Sequence, residues 1–168
     1  MTPTGAYKKM NFSLTPMERV EALWLDLTTD PDYDGFDTVP LRHVRLLSAS
    51  ADNGKGRTTF ELTVSPSLCN KGGNLHGGAA ATLLDSLTST ALTVIAKPGF
   101  LDGGHVSRSI TMTYLRPVPA GTTVTVECDV VAAGRNTAHI MGVIKTLDGK
   151  VCVTCAHDKA VFPKKAKL

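Results

Sequence analysis

The run HGGAAATLLDSLTSTALTVIA, residues 76–96, decides the fold. Beyond His76 and the two glycines lie 18 residues, 79–96, in which Asp85 is the only charge. Ala and Leu favour a helix, the run is far too long for one strand, and Lys97-Pro98-Gly99 stops it. The expectation is a helix over about 77–96, apolar on most faces and therefore wrapped by other structure. A membrane span would need about 20 predominantly apolar residues. This run carries Asp85 together with Thr82, Ser86, Thr88, Ser89, Thr90 and Thr93, so no span is expected.

Downstream, four strand-like runs follow: His105–Leu115, Thr122–Ala132, Thr137–Thr146 and Lys150–Phe162. The breaks are short and rich in Gly, Pro and Asn, and Asp148-Gly149 is a two-residue hairpin signal, so neighbours should be antiparallel. Upstream, Val39–Ala49 and Arg57–Val64 read as two more strands joined through Asn53-Gly54. Thr15-Pro16-Met17-Glu18 is a helix start, with Thr at the N-cap, Pro at N1 and Glu at N3, and predicts an amphipathic helix over 16–28. The sum is an α+β domain: an N-terminal helix, a long central helix and a curved antiparallel sheet of about six strands wrapped round it.

The chain has 168 residues, enough for one domain, read as a tail at 1–14, a domain at 15–162 and a basic tail at 163–168. The formal charge is +3, but five lysines (8, 9, 164, 165, 167) lie in the tails. Taking those five from 18 basic residues leaves 13 against 15 acidic ones, so the body offers no basic face to nucleic acid. The first dozen residues hold no apolar run of a secretory leader, which predicts a reducing compartment and free thiols at Cys69, Cys128, Cys152 and Cys155. Cys152 and Cys155 form a C-x-x-C, but strand alternation sends them to opposite faces and no second pair exists, so they are expected to be packing residues rather than metal ligands.

Two features could do chemistry. A carboxylate at 85, between Leu84 and Leu87, loses hydration if the helix is enclosed; it is paired, set in a wet cleft or functional, and desolvation would make it a better base. His76-Gly77-Gly78 at a helix start leaves backbone N–H groups free for a developing oxyanion, or is merely a tight loop-to-helix junction. At 1.5 Å per residue, Gly77 and Asp85 stand roughly 12 Å apart on one helix. If both serve one carbonyl they come from different subunits, and the chain is at least a homodimer.

The segments CNKGGNLHGGAAATLLDSLTSTAL, GGHVSRSITMTYLRPVPAGTTV and AAGRNTAHI resemble the hotdog-fold acyl-CoA thioesterases of the phenylacetate-degradation and thioesterase-superfamily-member-2 type, over roughly residues 60 to 162. The resemblance implies the hotdog fold and hydrolysis of an acyl-CoA to free acid and CoA. It implies that Asn70 and the Gly77 N–H hold the thioester carbonyl, that Asp85 activates water or attacks directly, that Ser107 positions the water, and that His76 packs or faces the thioester. CoA would be held at the dimer rim by Arg135, with Asn136 and Gly78 nearby. The resemblance requires no metal or cofactor beyond the CoA of the substrate, and admits a dimer or a tetramer. An acyl-thioester hydratase or dehydratase, or a silent acyl-CoA-binding module, remain alternatives on the same scaffold. The terminal Ala166-Lys167-Leu168 is similar to the peroxisomal S-K-L address, which points to a peroxisomal import receptor and a peroxisomal location ahead of cytosol or mitochondrion.

Overall fold

The computed structural model describes residues 10–162. The first nine residues, the tail at 163–168 and with it Ala166-Lys167-Leu168 lie outside the described residues.

Helix α1 (Pro16–Thr29) opens as its sequence dictates. Thr15 accepts the Glu18 N–H, Glu18 returns a bond to the Thr15 N–H, and Pro16 occupies the first helical position. A helical turn α2 (Thr38–Leu41) then leads into β1 (Val44–Asp52) and β2 (Lys55–Thr63). Residues 39–43 therefore do not belong to the strand expected from Val39. Asp37 and Gly35 supply carbonyls to Leu41 and Thr38, and Pro40, without an N–H to give a sheet, is buried with both of them. The β1–β2 hairpin turns at Asn53 and Gly54, both with positive φ (48° and 77°), as an Asn-Gly turn requires.

After a loop carrying a short 3-10 turn, α3 (Gly77–Ile95) is the long central helix. The strands β3 (His105–Tyr114), β4 (Thr123–Ala133), β5 (Thr137–Thr146) and β6 (Val151–Val161) complete the sheet. The β5–β6 link is a loop over residues 147–150 rather than a two-residue turn: Thr146 N–H donates to the Lys150 carbonyl, and Gly149 holds φ +85° inside it. All pairings are antiparallel, in the order β1-β2-β4-β5-β6-β3. β3, made directly after α3, thus pairs only with β6, and its other edge is open.

One face of the sheet closes on α3. Phe60 and Leu62 of β2, Val124 and Val126 of β4, and Ile140 and Ile144 of β5 meet Leu83, Leu84, Leu87 and Ala91 of the helix, all fully buried. Each buried leucine contributes about 2 kcal/mol of transfer free energy. Two glycines set the helix-to-sheet distance. A Cβ at Gly142 would lie 2.7 Å from Leu84 Cδ2 and 2.9 Å from Thr88 Cγ2, and one at Gly56 would lie 2.9 Å from the Ala91 carbonyl. α3 is long and apolar enough, by length and composition, to cross a membrane, yet 10 of its 19 residues are buried within this fold. At its far end the Arg19 guanidinium from α1 donates to the Thr93, Val94 and Ala96 carbonyls and caps the helix dipole.

Candidate active site

Two clusters form along α3, one at its start and one at its middle. At the start, the loop before the helix is braced by Asn70, whose side-chain carbonyl accepts the Gly72 N–H (2.9 Å) and the Asn74 N–H (3.3 Å). The Asn70 NH2 has no acceptor among the described residues, so the end of the amide left over is the donor end. His76 is the N-cap: its Nδ1 accepts the Gly78 N–H at 2.9 Å, which places the ring proton on Nε2. That bond occupies the Gly78 N–H, so Gly78, expected near CoA, contributes room there rather than a donor. The Gly77 N–H has no acceptor among the described residues, and it sits at the positive end of a 19-residue helix. A Cβ on Gly77 would only touch the Tyr114 ring at 3.4 Å, while the Tyr114 hydroxyl donates to the Gly77 carbonyl. The chain's own packing therefore does not demand glycine at 77.

At the middle, Asp85 Oδ1 accepts the Ser107 hydroxyl of β3 at 2.7 Å and faces His157 Nε2 at 3.2 Å and Lys159 Nζ at 3.8 Å. Oδ2 has no partner among the described residues. The carboxylate is 48% exposed, whereas Leu84 and Leu87 are fully buried against the sheet. Asp85 is thus half-exposed on the rim of the buried stripe, because its position on the helix turns it towards the β6–β3 edge.

His157 and Lys159 are buried, and neither was picked out by sequence reasoning. Their signal is the inward alternation Cys155, His157, Lys159, Val161 on β6, where two polar residues replace apolar ones. Lys159 donates to Ser89 Oγ (2.5 Å) and Ser107 Oγ (3.0 Å); Ser89 in turn donates to the Asp85 carbonyl (2.5 Å). His157 Nδ1 meets the Thr88 hydroxyl at 2.6 Å. Burial, seconded by the Lys159 charge, brings the His157 pKa down to about 4 and that of neighbouring His105 to about 4 as well. Burial also lowers the pKa of Lys159, against the pull of Asp85.

One chain does not bring its two clusters together. Gly77 and Asp85 share α3 eight residues apart, about 12 Å along the axis. Arg135 and Asn136 lie exposed in the β4–β5 hairpin, with the Asn136 carbonyl tied to the Val161 N–H. Arg116, exposed beyond the end of β3, gives one guanidinium N–H to the Val151 carbonyl. Cys152 and Cys155 are both buried, with Cys152 at an irregularity in the β5–β6 register, and no group of three His, Cys, Asp or Glu among the described residues is arranged to hold a metal.

Residues 72–153 match the model of the thioesterase superfamily. The chain is 31% identical to mouse acyl-coenzyme A thioesterase 13 over 128 residues, which is 74% of this chain and 84% of that one. It is 32% identical over 110 residues to a Caenorhabditis elegans protein named as an esterase, covering 65% of this chain and 63% of that relative's length. Among solved structures, zebrafish thioesterase superfamily member 2 superposes with a TM-score of 0.74 at 27% identity, over 89% of this chain and 99% of that one. The long helix and six-stranded sheet of this chain are those of the hotdog fold.

Proposed function

Since the chain belongs to the thioesterase superfamily, a family of thioester hydrolases, we propose that it hydrolyses acyl-CoA to a free acid and CoA at a site shared by two subunits. The observation that carries this reading is Asp85 itself: Oδ1 is anchored by Ser107, Oδ2 is free, and the carboxylate is open on the side away from its own chain. Activity of this kind in the mouse relative supports the choice of acyl-CoA as substrate.

Two copies paired through the open edge of β3 would run their central helices antiparallel, setting the α3 start of one against the Asp85 of the other. Val106, Ile110, Tyr114 and Leu115 are exposed apolar side chains in or beside this edge strand and would be covered there. In such a site the Gly77 N–H and the Asn70 NH2 of one subunit polarise the thioester carbonyl. Asp85 Oδ2 of the other takes a proton from water as the water oxygen bonds to the carbonyl carbon. The tetrahedral oxyanion collapses, the C–S bond breaks, and the CoA thiolate leaves without needing a strong acid. The proton on Asp85 then returns to solvent. Arg135 and Asn136 on the exposed hairpin are the proposed contacts for the CoA phosphates.

The test is thiol release from a panel of acyl-CoAs, short, long and aromatic, by wild type and by Asp85→Asn. The expected result is release by wild type and a loss of at least a hundredfold in the variant, with its melting temperature retained. Binding of acyl-CoA without release by wild type would defeat hydrolysis and leave a binding module.

A further inference from the structure

We propose that Lys159 is a positioning residue for the hydrolysis: its enclosed ammonium orients the Ser107 hydroxyl, and through it the Asp85 carboxylate, so that Oδ2 faces the substrate. This rests on Asp85 being the group that activates water.

The direction of each hydrogen bond carries the argument. An ammonium only donates and an ionised carboxylate only accepts. Ser107 Oγ lies between the two, 3.0 Å from Lys159 Nζ and 2.7 Å from Asp85 Oδ1. Its lone pair therefore goes to the lysine and its single proton to the aspartate. Ser89 repeats the arrangement, accepting from Lys159 and donating to the Asp85 backbone carbonyl. Two hydroxyls thus run outward from one cation to one residue, the first to its side chain and the second to its main chain. Ser107, whose proton is committed, acts on the carboxylate rather than donating that proton to the water. No proton is transferred in this arrangement; it fixes orientation alone.

The other titratable groups facing the cluster are neutral at pH 7. His157 and His105 titrate near 4, and burial lifts the Cys155 thiol to about 11. Lys159, at 4% exposure, consequently faces Asp85 as its one charged neighbour in the cluster among the described residues. Enclosing an ammonium carries a desolvation cost that packing alone does not repay. Its presence directs attention to what it does for the carboxylate.

The experiment uses the full chain with its best acyl-CoA and compares wild type, Lys159→Met, Ser107→Ala and the double variant. Lys159→Met is expected to remain folded, since the half-exposed Asp85 carboxylate keeps its solvent, and to lose about tenfold or more in kcat, with KM within about twofold. Ser107→Ala cuts the same chain one bond nearer Asp85, so the double variant should be no worse than the poorer single one, within about twofold. Losses that multiply in the double variant, a loss that falls on KM rather than kcat, a wild-type kcat, or a lysine variant that fails to fold would each overturn the proposal. Absence of thiol release from wild type, by contrast, would strike the hydrolase reading and not the geometry of this relay.

Discussion

His105 and His157 tie the stability of the fold to pH. Both are held near 4, well below the ordinary value of 6.5, chiefly by burial, so each binds its proton more readily in the unfolded chain. A depressed folded value means that the stability is complete above about 6.5 and is lost as pH falls from there through 4. Burial lowers the pKa of Lys159 as well. The melting temperature should therefore fall steadily between pH 6.5 and 4, and His157→Gln should flatten that slope by removing one of the two protons taken up. An equal slope in the variant, followed by circular dichroism, would show that His157 is not one of the groups responsible. Asp85 could be singled out in the sequence because a lone carboxylate in an apolar helical run is conspicuous. His157 and Lys159 could not, since what makes them part of the site is a contact with residues 69 and 70 positions away, across helix and sheet.

Among the elements, α3 was legible because 18 residues rich in Ala, Leu, Ser and Thr, between a His-Gly-Gly start and a Lys-Pro-Gly stop, admit little else. The turn α2 was hidden, since a β-branched valine before a proline reads as extended chain and only burial of Thr38, Pro40 and Leu41 makes it helical. Equally invisible was the depth at which α3 sits. Gly142 on β5 faces Leu84 and Thr88, the residues flanking Asp85 by one and three positions, and leaves no space for a methyl group. Gly142→Ala should lower stability by about 1–3 kcal/mol in urea unfolding and should displace that turn of the helix. Because the turn carries Asp85, thiol release should fall in the folded variant as well. Full activity alongside the stability loss would mean that the helix yields without moving its carboxylate.

For the whole molecule, the separation of Gly77 from Asp85 makes a mixing test decisive. Gly77→Pro deletes the N–H proposed to hold the oxyanion, yet proline is welcome at the first position of a helix, and His76 already has the extended conformation that a following proline prefers (φ −65°, ψ 135°). Gly77→Pro and Asp85→Asn should each be inactive alone. Exchanged into mixed dimers, one site of two regains both halves, so about a quarter of wild-type activity should return at equal amounts. No recovery on exchange would place both groups in one subunit's site, against the 12 Å rise along the helix.

The strand order has a consequence for how the protein comes into being. β3 follows α3 in the chain but finds its neighbour only in β6, with His105 opposite Val161. During synthesis the N-terminal helix, the first hairpin and α3 emerge while β3 has nothing to pair with, and β4 and β5 can assemble on β2 before it. Ser107 comes alongside His157 and Lys159 only when β6 is laid down between β5 and β3. The surroundings of the Asp85 carboxylate therefore wait for the latest strand of the sheet, and the proposed site is incomplete on a nascent chain until that strand has left the ribosome.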